Sequence, residues 1–148
     1  MELKIPPLLL VVLSAALMYG LSRLPAGHAW QASWWLPLLP AAAGLAVAGT
    51  AAATFRRRRT TLSPLQPQQT QALVSHGIFR YSRNPMYLGM ALLLASWGIY
   101  LGSLPALAGI PLFVLYLNRF QIRPEERFLT EKFGDSYRAY CRQTRRWL

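Results

Sequence analysis

Two stretches of this chain gather the residue types that do chemistry. The first runs Gln71-Ala-Leu-Val-Ser-His-Gly-Ile-Phe-Arg-Tyr-Ser-Arg-Asn-Pro-Met-Tyr-Leu-Gly89. Asn is a favoured helix N-cap and Pro suits the first helical position, so Asn84-Pro85 predicts a helix start. A helix N-terminus offers unpaired N–H groups and the positive end of a dipole, which favours a carboxylate or a phosphate. Tyr87 follows Asn84 by three residues, on the same side of the first turn. Gly89 lets a ligand or another backbone come close. The second stretch is Arg123-Pro-Glu-Glu126. Two acids beside a cleft can bind a cation or an amino group. In the plainer reading they complement the dipole of a helix that begins after Pro124, and Asn84 is only a cap.

Other chemistries lack their residues. The chain has one Asp, Asp135, and two His, His28 and His76. These assemble neither a hydrolase triad nor a zinc site, so no metal is expected. There is no Gly-x-Gly-x-x-Gly or P-loop pattern to hold a nucleotide in a soluble-type fold. The single cysteine, Cys141, has no partner for an internal disulfide or a thiolate metal site. His76 alone reads as a hydrogen-bonded interfacial residue, because a catalytic base needs a defined proton to take.

The elements that must position these stretches are apolar. Of 148 residues, 53% are hydrophobic and only 14% charged, well below the charged share of an ordinary soluble domain. Four hydrophobic runs, at about 5–24, 34–55, 85–101 and 104–122, have the length of membrane helices. Trp30, Trp34, Trp35, Trp97 and Tyr100 lie at run ends, as interfacial rings do. The first run reads as an anchor, since no small-x-small cleavage site follows it closely. Ala and Gly crowd the second run from Ala41 to Ala53 and predict a helix-packing face.

Net charge is +11. An excess of that size fits nucleic acid or an anionic membrane. Its placement beside the apolar runs, above all at Arg56–Arg59, favours membrane headgroups and no nucleic acid. The positive-inside rule puts both termini, the connector 56–84 and the tail 123–148 in the cytoplasm. The expectation is a single domain over 1–148, all-α and polytopic, with four transmembrane helices and a cytoplasmic C-terminal helical segment. Its location would be the inner (plasma) membrane if the source is bacterial. The short Gly102–Ser103 turn makes the last two runs an antiparallel hairpin, which returns Glu125 and Glu126 to the side of Asn84.

Taken together, the two stretches resemble a known family. Leu73–Gly89 resembles the isoprenylcysteine carboxyl methyltransferase signature, usually Gly-x-Tyr-x-x-x-Arg-His-Pro-x-Tyr-x-Gly; that family is related to the membrane phosphatidylethanolamine methyltransferases. Arg123-Pro-Glu-Glu-Arg-Phe-Leu-Thr-Glu-Lys-Phe-Gly-Asp-Ser-Tyr-Arg-Ala-Tyr140 is similar to its glutamate pair and Phe-Gly-x-x-Tyr-x-x-Tyr block. The resemblance covers about half the chain, from Gln71 onward. Asn84 stands where the family usually has His, and Phe79 where it usually has Tyr.

The resemblance implies S-adenosylmethionine as methyl donor, S-adenosylhomocysteine as product, and no metal. It places Gln71, Ala72, Leu73 and Val74 along the cofactor, with Phe79 beside it. Asn84, Pro85, Met86 and Tyr87 form the cofactor's floor with Gly89, and Glu125 contacts it. Arg123 and Glu126 are the catalytic candidates, and Arg119 and Arg123 the substrate-facing ones. The implied activity is methyl transfer to a lipophilic acceptor within membrane lipid: the carboxylate of a prenylated cysteine-like group, or a lipid amine or thiol. The alternative is a non-enzymatic membrane scaffold or small transporter subunit. No protein partner is legible.

Overall fold

The computed structural model describes residues 5–24, 30–31, 33–57 and 73–148. Among these residues every regular element is helical. Helix α1 (Pro7–Ser22) opens on a proline at its first turn, where the missing N–H costs no helical bond. Helix α2 is Leu38–Arg57. A 3-10 turn at Gly77–Arg80 precedes α3 (Pro85–Leu101), which opens on Pro85 and closes on Gly102 in the left-handed region at φ 59°. A Cβ at Gly102 would collide with the Trp30 carbonyl, whose own N–H donates to Gly102 O at 3.3 Å.

The fourth apolar run is not one α-helix. It is divided into α4 (Leu104–Leu107), α5 (Gly109–Leu117) and a π-helical turn, Asn118–Ile122, before α6 (Arg123–Phe133). Two prolines account for the breaks. Pro111 has no N–H to donate to Leu107, and Pro124 has none for Phe120. With the second bond gone, the turn widens and the Arg123 N–H donates to Asn118 O, five residues back. Gly134, at φ 53°, ends α6 and leads into α7 (Asp135–Gln143).

This corrects the membrane architecture expected from the sequence. Among the described residues no helix is long and apolar enough to cross a membrane. Helix α1 has 16 residues and α3 has 17. At about 1.5 Å per residue they fall short of a hydrocarbon core of about 30 Å. Helix α2 reaches its 20 residues only by including Arg56 and Arg57, and its apolar content is largely Ala. The fourth run is cut as described. Composition found the helices, but apolar content alone does not separate a spanning helix from one packed against its neighbours. The four expected spans are not what the described residues form.

Helices α1, α3, α4 and α5 pack together around Leu10, Met18, Met90, Leu94, Phe113 and Leu117. Helix α2 lies along α3. There Gly44 and Gly89 face each other so closely that a Cβ on either would stand 2.7 Å from the other's carbonyl oxygen. Polar pins hold the bundle together: Trp97 Nε1 donates to Ala15 O (3.1 Å), Ser96 Oγ to Pro37 O (2.6 Å) and Gln121 Nε2 to Ile5 O (2.6 Å). A second cluster joins Val74 and Phe79, around the 3-10 turn, to Tyr137 and Tyr140 of α7. Leu8, Leu9, Val12 and Leu13 of α1, Leu39 and Leu45 of α2, and Leu112 and Leu115 of α5 remain exposed.

Candidate functional site

The start of α3 is built from both sequence stretches. Pro85 fixes the first turn, and the Asn84 carbonyl accepts the first helical bond from Leu88 N at 3.0 Å. The Asn84 side chain does not cap this helix. It donates instead through Nδ2 to Arg146 O at 2.9 Å, so the first N–H groups of α3 are not occupied by their own cap residue. One helical position on from Met86, the buried Tyr87 donates its hydroxyl to Glu125 Oε1 at 2.7 Å. This bond joins α3 to α6 and brings the two stretches into one site.

Glu125 and Glu126 are neighbours in sequence with unlike surroundings. Burial pushes the Glu125 carboxyl from its ordinary 4.5 up to about 7; the Tyr87 bond pulls it down, and the adjacent Glu126 charge pushes it up. Glu126 is held by two guanidiniums. Its Oε1 accepts from Arg83 (2.7 Å) and from Arg146 Nε (3.0 Å), and its Oε2 accepts from the second Arg146 nitrogen (2.6 Å). Charge-assisted bonds of this kind are short and strong. Glu125 can change charge near neutrality, whereas both oxygens of Glu126 are taken up by guanidinium donors.

Arg83 is the hub of this arrangement. Besides Glu126, its guanidinium donates to the carbonyls of Cys141 (3.2 Å) and Thr144 (3.3 Å). A cation at the C-terminal end of α7 satisfies carbonyls that have no helical donor and opposes the negative end of the dipole. Tyr140 adds a bond from its hydroxyl to Phe79 O at 2.6 Å.

The other sequence candidates fall in three places. Val74 and Phe79 are buried in the second cluster, with Leu73 and Met86 packed partly exposed against it. Gly89 lies at the α2–α3 crossing, where the backbone it admits is that of Gly44. Arg119 and Arg123 are exposed and line an open groove of about 520 Å³ together with Glu126, Arg127, Thr130 and Glu131. Gln71 and Ala72 lie outside the described residues. Among the described residues no group of His, Cys, Asp and Glu could hold a metal ion.

The profile of the phospholipid methyltransferase family matches residues 33–136, most of the chain and both sequence stretches up to Ser136. The chain belongs to the phospholipid methyltransferase family. An uncharacterized protein of Haemophilus influenzae is 48% identical to it over 63 residues, 43% of this chain and 100% of that protein. No solved structure matches. Membership in the phospholipid methyltransferase family makes methyl transfer the chemistry of this fold, in agreement with the resemblance carried by Leu73–Gly89 and Arg123–Tyr140.

Sequence reading missed the residues that tie the candidate site together: Arg83 as a hub, and Asn118, Arg146 and Trp147. Arg83 stands inside the first stretch, but its bonds go to carbonyls about 60 residues away, and a carbonyl leaves no mark in sequence. The one available signal was the Arg146-Trp147 pair, a bidentate cation beside an aromatic indole donor.

Proposed function

We propose that this protein transfers a methyl group from S-adenosylmethionine to a lipid-borne acceptor, with the donor bound at the start of α3 beside Glu125. The observation that supports this most is the Tyr87–Glu125 bond of 2.7 Å. It sets a half-buried carboxylate next to a helix N-terminus whose own cap residue is turned away. That pairing suits a ligand carrying both positive and negative groups. The α3 N–H groups favour its carboxylate, and Glu125 suits an ammonium or a hydroxyl. Leu73 and Met86, partly exposed where they pack against the second cluster, offer apolar contact.

The donor supplies an electrophilic methyl carried on a sulfonium, and the protein's part is placement. Holding two reactants in line removes much of the entropic barrier without a strong base. An amine acceptor must shed a proton. Both oxygens of Glu126 are occupied by Arg83 and Arg146, so the role suggested for it passes to Glu125 or water. Arg119, Arg123 and Arg127 give the neighbouring groove a positive lining suited to an anionic head group. The exposed leucines of α1, α2 and α5 supply apolar surface of the kind that meets lipid. The acceptor is a lipid amine, the carboxylate of a prenylated cysteine-like group, or a thiol.

Calorimetric titration with S-adenosylhomocysteine tests the donor, and transfer of labelled methyl into fractionated lipids tests the acceptor. Saturable binding followed by label in a lipid fraction is expected. Absence of S-adenosylhomocysteine binding by the folded protein overturns the reading.

A further inference from the structure

The segment after α7 turns back across the site. Within it, Arg145 O accepts from Arg83 N at 3.0 Å, and Arg146 O accepts from Asn84 Nδ2 at 2.9 Å. The Arg146 guanidinium grips both oxygens of Glu126, and Trp147 Nε1 donates to Asn118 Oδ1 at 3.2 Å on the π turn. The Trp147 ring packs against the core that contains Tyr87 and Ile122, and Thr144 is buried. Four consecutive residues thus touch the end of the 3-10 turn, the start of α3, the π turn and α6. None of these residues lies in the matched span 33–136.

We propose that Thr144–Trp147 is a strap that sets the spacing between the start of α3 and α6, with Arg146 as the positioning residue that fixes Glu126 and so the adjacent Glu125. The proposal rests on the donor reading of the α3 start and adds to it the device that holds that site in register. Tyr87 and Glu125 share a single hydrogen bond between two helices. One bond does not fix a distance and an orientation together, and placement errors of about 1 Å are costly in catalysis. The strap adds independent anchors on both sides of that bond. Asn84 adjoins the α3 end and Glu126 adjoins Glu125, and both are tied to the same residue, Arg146. A guanidinium suits this role because its planar fork meets both carboxylate oxygens at once, which an ammonium does not. Arg83 holds Glu126 from the other side, so removing Arg146 leaves the carboxylate paired but free to turn.

The test compares wild type, Arg146→Lys, Arg146→Gln and Trp147→Phe in two measurements on the full chain. Amide hydrogen exchange at Arg83, whose N–H is bonded to Arg145 O, reads whether the strap is closed. Titration with S-adenosylhomocysteine reads whether the donor site is set. In Arg146→Gln, Arg83 exchange is expected to rise and affinity to fall together, each by about tenfold or more. Arg146→Lys should lie between this variant and wild type, and Trp147→Phe should show a smaller loss in the same direction. The lysine variant keeps the charge and supplies a folded comparison if the glutamine variant is unstable. Unchanged Arg83 exchange in both Arg146 variants overturns the strap. An open strap with undiminished affinity overturns the positioning role while leaving the donor reading intact. A wild type that binds no S-adenosylhomocysteine overturns the donor reading and the positioning role with it, and is told apart from the previous outcome by the wild-type titration alone.

Discussion

Tyr87 and Glu125, 38 residues apart, are joined by a hydrogen bond of 2.7 Å from the tyrosine hydroxyl to the carboxylate. Replacing Glu125 with Gln keeps size and an acceptor oxygen for Tyr87 but removes the charge. The expected result is S-adenosylhomocysteine binding weakened by about tenfold or more, as for loss of a charge-assisted bond, with the helical circular dichroism unchanged. Calorimetry decides it, and equal affinity would remove the Glu125 charge from the donor site.

The same carboxyl gives a pH dependence of defined sign. Its value rises from 4.5 to about 7 on folding, so between these limits the folded protein holds a proton that the unfolded chain has lost. Stability is therefore greater below about pH 4.5 and falls as pH rises toward 7, by about 3 kcal/mol at most from this group. Glu125→Gln should flatten that slope and be more stable than wild type at pH 8 in urea titrations. Tyr87→Phe removes the bond that pulls the carboxyl down, so the midpoint should move above 7. A midpoint moving below 7 would contradict this.

Asn84 distinguishes a cap from a tether. As caps, Asp and Asn are nearly equivalent. As a donor to Arg146 O, Asn works and Asp cannot, since an ionised carboxylate only accepts. Asn84→Asp should lower stability by about 1 kcal/mol or more, and Asn84→His, which retains an N–H donor, should cost less. Thermal unfolding of the two variants gives the order, and equal stability of Asn84→Asp and wild type would return this side chain to a boundary role.

Gly44→Ala or Gly89→Ala should destabilise by about 1–3 kcal/mol. The added methyl would stand 2.7 Å from a backbone oxygen of the facing helix, and neither backbone can yield without parting α2 from α3. Denaturant midpoints measure it, and a shift within error would mean that the helices can separate at no cost.

Local rules worked where a local rule decides. Asn84-Pro85 marked the start of α3, and Leu101 closes it where the third run was expected to end. The Gly102–Ser103 turn leads back through α4 and α5 toward the same end of α3, and so Glu125 meets Tyr87. The crowding of small residues in α2 predicts a packing face and Gly89 a close approach, but that the two meet at Gly44 was not legible. Apolar run length misled at 104–122, where the effects of Pro111 and Pro124 depend on which carbonyls lose their donors. The unlike fates of Glu125 and Glu126 were also invisible, because the two guanidiniums that separate them come from Arg83 and Arg146, far away in the chain.

The π turn at Asn118–Ile122 has a consequence for how related chains are compared. It accommodates one residue more than an α-helix would between Leu117 and Arg123. A relative lacking that residue could run straight through this stretch and still aim its acid at the same tyrosine, since about 100° of rotation per residue is what the wide turn absorbs. A gapless alignment through the turn would then set Glu125 opposite the wrong acid of such a chain. It would exchange a carboxyl that titrates near neutrality for one fixed between two arginines.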